Sequence, residues 1–271
     1  MKKMGFFLAV VGFVLLGCMS VMAAPKYDTT NVENGYVTVT YDGVLKDKLV
    51  KIKLEVVGSQ NYNTFTVITN NPVNIPLTLG NGTYKLTIME RVSGNSYRGV
   101  GTHSFEAKIT NPNGAFLVPS PIVDYNPSTK TVNEFIKIYA DNKITAPAMR
   151  TEKLYAFMTK EFKYDHEKAK NINTLFPDGY TPVIDTAYAA RKGICYDYSA
   201  ITAAVLRANG IPTKVVWGYA PEVGTLHSWN EIFIDGKWVV ADFTVDAAYA
   251  EAGYQTTMAK DGKLFTPTKI Y

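Results

Sequence analysis

Between residues 36 and 109 apolar and polar positions alternate in short runs, at 36–41, 51–57, 62–68, 83–89 and 103–109. A period of two predicts half-buried strands. Asp42-Gly43, Asn70-Asn71-Pro72, Gly80-Asn81-Gly82 and Ser93-Gly94-Asn95 separate the runs with turn-forming residues. Short strands at regular spacing predict a small β-sandwich. Asn111-Pro112-Asn113-Gly114 and Val118-Pro119-Ser120-Pro121 then mark a boundary, and the period changes. Ser128 is the expected cap of a helix over 129–139, with Val132, Phe135, Ile136 and Tyr139 on one face. Thr145 is the expected cap of a second helix reaching about residue 162, with Pro147 in its first turn. The stretch 171–186 contains Phe176-Pro177-Asp178-Gly179 and reads as an irregular surface loop.

Two further patterns follow. Ile201, Ala204, Val205 and Ala208 are spaced i, i+3, i+4, i+7, which predicts an amphipathic helix starting near Cys195. Asn209-Gly210 supplies a left-handed end and Pro212 stops continuation. Beyond it, Asp235-Gly236 separates two strand-like runs, 228–234 and 237–243. An Asp-Gly pair in that position predicts a two-residue type I′ hairpin. In that register Ile234 faces Lys237, Trp229 faces Asp242 and His227 faces Thr244. His227 and Asp242 become diagonal neighbours on one face, about 7–8 Å apart at Cα.

These placements define a candidate chemistry. A thiol at a helix N-terminus is biased toward thiolate by the unpaired N–H groups and the dipole there. Gly193 permits a tight turn beside it. A carboxylate that fixes one imidazole nitrogen leaves the other for the thiol. Taken singly, each residue has an ordinary structural explanation: a buried cysteine, a packed strand histidine, a strand-end carboxylate. The predicted hairpin that places His227 and Asp242 together favours Cys195, His227 and Asp242 as a catalytic set. His103 and His166 are expected to be structural and solvated, respectively.

Composition sets the compartment. Met1-Lys2-Lys3, an apolar run over 4–19 and Val21-Met22-Ala23 form a secretory leader with cleavage expected before Ala24. Leu15-Leu16-Gly17-Cys18 resembles a bacterial lipobox, a competing and less favoured route that would lipidate Cys18. Either route leaves Cys195 as the only cysteine of the mature body, which excludes an internal disulfide. Loss of Lys2 and Lys3 lowers the formal charge from +4 to +2. With no basic run, nucleic acid is not an expected partner. The three histidines are scattered, so no metal or other cofactor is called for.

Four blocks in order, Gly193-Ile194-Cys195-Tyr196-Asp197-Tyr198-Ser199, Gly210-Ile211-Pro212-Thr213, His227-Ser228-Trp229-Asn230-Glu231 and Asp242-Phe243-Thr244, resemble the core of the transglutaminase-like superfamily. The likeness spans roughly 124–250 and is nearest to exported bacterial members. Ser228 stands where alanine is common, and Phe243 where proline is common. The resemblance implies an α+β, papain-like core with a Cys-His-Asp triad. It implies an extracytoplasmic enzyme acting on protein or peptide amides, some of them cell-wall associated, through a thioester resolved by water or by an amine. The other class to weigh is a non-catalytic surface-binding protein on a retired enzyme scaffold, against which the complete triad argues. The expected organisation is a leader at 1–23, a sandwich at 24–118 and a catalytic domain at 119–271. After leader cleavage no membrane span is expected.

Overall fold

The computed structural model describes residues 24–43, 49–175 and 179–271. The expected leader, its cleavage site and Cys18 lie outside the described residues. Among the described residues the N-terminal part contains seven strands: β1 (Lys26–Asp28), β2 (Tyr36–Thr40), β3 (Val50–Val56), β4 (Tyr62–Val67), β5 (Val73–Pro76), β6 (Gly82–Ser93) and β7 (Ser96–Ala107). They form a three-stranded sheet, β1-β2-β5, and a four-stranded sheet, β4-β3-β6-β7. All pairings are antiparallel. Alternate residues supply the core: Val37 and Val39, Ile52 and Leu54, Phe65 and Val67, Leu86 and Ile88 are all buried. Sequence patterning did not find β1 and β5, which are short and bounded by polar residues. His103 is structural, as expected: its ring stacks on Tyr27 with centroids 4.8 Å apart.

The C-terminal part is α+β. Helices α1 (Lys130–Asp141), α2 (Pro147–Glu161), α3 (His166–Lys170), α4 (Ile172–Leu175), α5 (Ile184–Ala190), α6 (Cys195–Ala208) and α7 (Phe243–Glu251) accompany a short parallel pair, β8 (Lys163–Tyr164) with β9 (Lys192–Gly193). Strands β10 (Thr213–Tyr219), β11 (His227–Ile234), β12 (Lys237–Ala241), β13 (Ala259–Lys260) and β14 (Thr266–Ile270) form one antiparallel sheet, ordered β13-β12-β11-β10-β14.

Several local expectations are refined. The start of α1 is not capped by Ser128. Asp185, from α5, takes the Lys130 and Thr131 N–H groups at 3.0 and 2.9 Å. Ile136 is exposed, so the buried stripe of α1 is narrower: Thr131, Val132, Phe135 and Tyr139. The stretch expected as a loop carries α4 and the start of α5. The prediction for α6 erred in one respect: the helix is not amphipathic. Every residue from Tyr196 to Arg207 is buried, because α6 runs through the middle of the domain with the sheet on one side and α1, α2, α5 and α7 around it. A helix covered on all sides carries no polar face to detect.

The boundary marked by the prolines is crossed by many contacts. Thr78 Oγ1 and Asn63 Nδ2 donate to the Ile270 carbonyl at 2.7 and 3.3 Å, and Phe65 packs edge-on to Tyr271. Fully buried Arg207 donates to the carbonyls of Thr213, Val118 and Tyr271. One hydrophobic cluster runs through both parts.

Candidate active site

Cys195 is the first residue of α6 and is half-buried. The preceding Ile194 is extended, with φ −92° and ψ 176°, so the chain enters the helix through a sharp corner. N–H groups of a first helical turn have no partner within the helix, and the thiol sits among them. Asp197, two residues on and wholly buried, takes the Ile194 N–H at 2.8 Å. It also accepts from Lys168 Nζ at 2.9 Å and from the Tyr180 hydroxyl. Gly193 is needed here for close approach, not for unusual dihedrals. A Cβ on it would lie 2.5 Å from the Asp197 Cβ.

The hairpin expected from Asp235-Gly236 forms in the expected register, with Ile234 opposite Lys237 and Asn230 opposite Ala241. Both turn residues have positive φ, 50° and 79°, as a type I′ loop requires. The strand ends two residues earlier than the sequence suggests. Asp242 is the N-cap of α7, and Thr244 lies inside that helix rather than opposite His227. The capping role aims the carboxylate: Oδ1 takes the Val245 N–H at 3.1 Å, and Oδ2 lies 2.8 Å from His227 Nε2. A helix cap therefore achieves what strand pairing was expected to achieve.

His227 is buried, and Cys195 lies close enough to interact with its imidazole. With Nε2 committed to Asp242, Nδ1 is the nitrogen left for the thiol. Burial works against the imidazolium, but the interactions with Asp242 and Cys195 and the charges of both outweigh it. The His227 pKa is raised to about 10. Trp229 lies against the same ring, with centroids 6.5 Å apart.

Three supporting groups escaped the sequence reading. Ser228 is bonded to Ser199 Oγ on α6 at 2.7 Å, which accounts for a serine where alanine is common. Asn230 Nδ2 donates to the Ser199 carbonyl at 3.0 Å and to the Lys214 carbonyl at 2.9 Å. These two side chains fasten β11, which carries His227, to α6, which carries Cys195. One turn beyond Asp242, buried Asp246 pairs with Lys260 Nζ at 2.5 Å and accepts from the Tyr155 hydroxyl at 3.0 Å. It lines a cleft of about 430 Å³ with Asp242, Tyr249, Tyr254 and Phe265. The Asp-Asp spacing of i, i+4 on α7 was visible in the sequence, but the helix was not. His166 is exposed, as expected, and lies apart from the cluster on α3.

A cysteine at the start of a buried helix, met by a histidine and an aspartate from an adjoining antiparallel sheet, puts this half of the chain among papain-like α+β domains. Residues 137–243 match the family model of the transglutaminase-like superfamily. Among solved structures it is similar to one titled a TGase, with 23% identity, 43% of this chain and 31% of that chain covered, and a TM-score of 0.34. It is similar to a candidate cysteine protease from Cytophaga hutchinsonii, with 13% identity, 87% and 86% covered, and a TM-score of 0.37. Red sea bream transglutaminase gives 12% identity, 77% and 47% covered, and a TM-score of 0.29. The chain thus spans under a third of the first of these structures and about half of the last. No curated protein sequence matches it.

Proposed function

We propose that the protein is an extracytoplasmic cysteine enzyme that acts on protein or peptide amides through a thioester. The observation that carries this reading is the single imidazole bonded to Asp242 and interacting with Cys195 at the start of α6. The Cys195 thiolate attacks the amide carbonyl carbon, and the oxyanion is stabilised by N–H groups of the first turn of α6. The imidazolium of His227 gives its proton to the departing nitrogen as the C–N bond breaks. Ammonia or an amine leaves, and a thioester remains on Sγ. Water or a second amine then attacks the thioester carbonyl, with neutral His227 taking its proton. The products are an acid or a new amide, and the thiolate is regenerated. Asp242 holds the ring and stabilises its charged form. The chain needs no cofactor for these steps.

Export is part of the same proposal and rests on the charged start, apolar run and Val21-Met22-Ala23 exit of the leader. Intact mass of the protein recovered from the envelope or medium would begin at Ala24.

The deciding experiment incubates the protein with a labelled primary amine and a glutamine-rich acceptor protein, following ammonia release and label incorporation together. Ammonia with incorporation identifies a transglutaminase, and ammonia without it a deamidating hydrolase. A panel of peptides tests peptide-bond cleavage in parallel. If none of these activities exceeds that of Cys195→Ala, the enzyme reading fails and a binding scaffold takes its place.

A further inference from the structure

The residue cluster behind the thiol holds a charge pair that the mechanism above does not use. Asp197 is fully buried, and its carboxylate sits at the third position of the helix whose first position is Cys195. One oxygen takes both the Ile194 N–H and Lys168 Nζ, and the other takes the Tyr180 hydroxyl. The carboxylate thereby fixes the corner that carries the thiol. A bare negative charge two residues from the thiol would also oppose a thiolate. Lys168, about four-fifths buried, supplies the opposite charge from α3, a separate element.

Other charged groups lie on the elements around α6. His227 on β11, backed by Asp242, favours the thiolate. Tyr164 on β8 feels the Cys195 charge. Asp165, which caps α3, is paired with Lys192 of β9 at 3.1 Å. The Asp165–Lys192 and Lys163–Glu251 pairs are each balanced. Lys168 is the cation bonded to the carboxylate nearest in sequence to Cys195.

We propose that Asp197 and Lys168 are a charge-balanced clamp that positions the Cys195 nucleophile: Asp197 fixes the turn, and Lys168 cancels the carboxylate's repulsion of the thiolate. Both are positioning residues, not catalytic ones. The proposal rests on Cys195 being the nucleophile. It predicts opposite effects from the two halves of the pair. Lys168→Gln leaves an uncancelled carboxylate by the thiol and disfavours the reactive form. Asp197→Asn keeps an oxygen for the Ile194 N–H but leaves an uncancelled cation, which favours it. A merely structural pair would move both variants the same way.

The test is the rate of iodoacetamide modification of Cys195 in the full chain between pH 5 and 8, read by peptide mass. At pH 6, Lys168→Gln should slow alkylation by about 3–10-fold and Asp197→Asn should speed it by a similar factor, since about one pKa unit is tenfold. The double variant should return to within about twofold of the wild type. Lys168→Arg, which keeps the charge, should stay near the wild-type rate. Equal slowing by both single variants, no change in either, or slowing by Lys168→Arg as large as by Lys168→Gln overturns the clamp. The lysine variants decide the matter even if Asp197→Asn does not fold. The readout needs no turnover. Opposite shifts in a protein inactive on amides would sustain the clamp and sink the acyl-transfer reading. Unchanged alkylation in an active enzyme would do the reverse.

Discussion

At the residue scale, the proposed mechanism gives Cys195, His227 and Asp242 unequal work, and they should fail unequally. Cys195→Ala removes the atom that forms the thioester and should abolish turnover, by on the order of 10⁶-fold in kcat. His227→Ala should cost nearly as much, because one ring both receives and returns the proton. Asp242→Asn should cost less, on the order of 10⁴-fold, since the base remains and only its orientation and charge stabilisation are disturbed. Asparagine can still accept the Val245 N–H, so stability should change little, and steady-state kinetics with thermal melts would separate the two effects. If Asp242→Asn left the rate untouched, the orienting role would belong elsewhere. A second expectation concerns pH. The folded state raises the His227 pKa from 6.5 to about 10, so the charged ring binds its proton more tightly in the folded than in the unfolded chain. Its contribution to stability is complete below about pH 6.5 and disappears as pH rises through about 10. The gap in melting temperature between wild type and His227→Gln should therefore narrow between pH 7 and 10.5. A gap that widens over that range would refute the paired imidazolium. The position of Cys195 at a helix start and the pairing of His227 with Asp242 were legible in the sequence because each adjoins a strong local signal, a helix start or a two-residue turn. Asp197, Lys168 and Tyr180 were not, because they meet only through a tertiary contact between α3, α6 and the chain leading to α5.

At the element scale, α6 and β11 must keep a fixed offset for the thiol to meet the imidazole. Their junction is polar as well as apolar, and buried polar groups are costly to leave unpaired. Asn230→Ala removes both side-chain bonds that tie β11 to the Ser199 and Lys214 carbonyls and should lower stability by about 1–3 kcal/mol, with a parallel fall in kcat. Ser228→Ala should cost only about 1 kcal/mol, since the Ser199 hydroxyl keeps its contact with the Tyr196 carbonyl. Urea denaturation midpoints would rank the two. A Ser228→Ala loss exceeding that of Asn230→Ala would show that the hydroxyl pair, not the amide, fastens helix to sheet. The elements themselves were unevenly legible. The β11–β12 hairpin followed from Asp235-Gly236 alone, because a turn with two positive φ values fixes register. The end of β12 did not follow, because Asp242 reads equally as a strand residue and as a cap, and the helix it starts has no amphipathic period. α6 was found from its caps and stripe, yet its central burial was hidden, since an alanine-rich helix gives the same stripe at a surface.

At the scale of the whole molecule, alternation gave the sandwich and periodicity gave the helical half, but neither reports how the halves meet. Prolines at 119 and 121 suggest a linker, whereas the structure draws the last strand of the second half against the first. Asn63 and Thr78 of the sandwich hold the Ile270 carbonyl. β14, to which Ile270 belongs, pairs with β10, and β10 pairs with β11 at Gly218 and His227. The sandwich thus supports the edge of the sheet that carries the histidine. Arg207 adds a second tie, since its buried guanidinium spans the Val118, Thr213 and Tyr271 carbonyls. Removing residues before 124 would leave that guanidinium short of one acceptor and would expose Tyr271, which now packs on Phe65. A fragment spanning 124–271 should therefore melt well below the full chain and lose most of its rate on even a small amide substrate. Arg207→Met in the full chain should reproduce part of that loss, by on the order of 1–3 kcal/mol from the lost bonds to the Val118, Thr213 and Tyr271 carbonyls. The check is a pair of thermal melts followed by circular dichroism, with kcat measured on the same samples. A fragment that melts cooperatively at the temperature of the full chain and keeps its rate would show that the sandwich is an appendage and that the sheet holds its own edge.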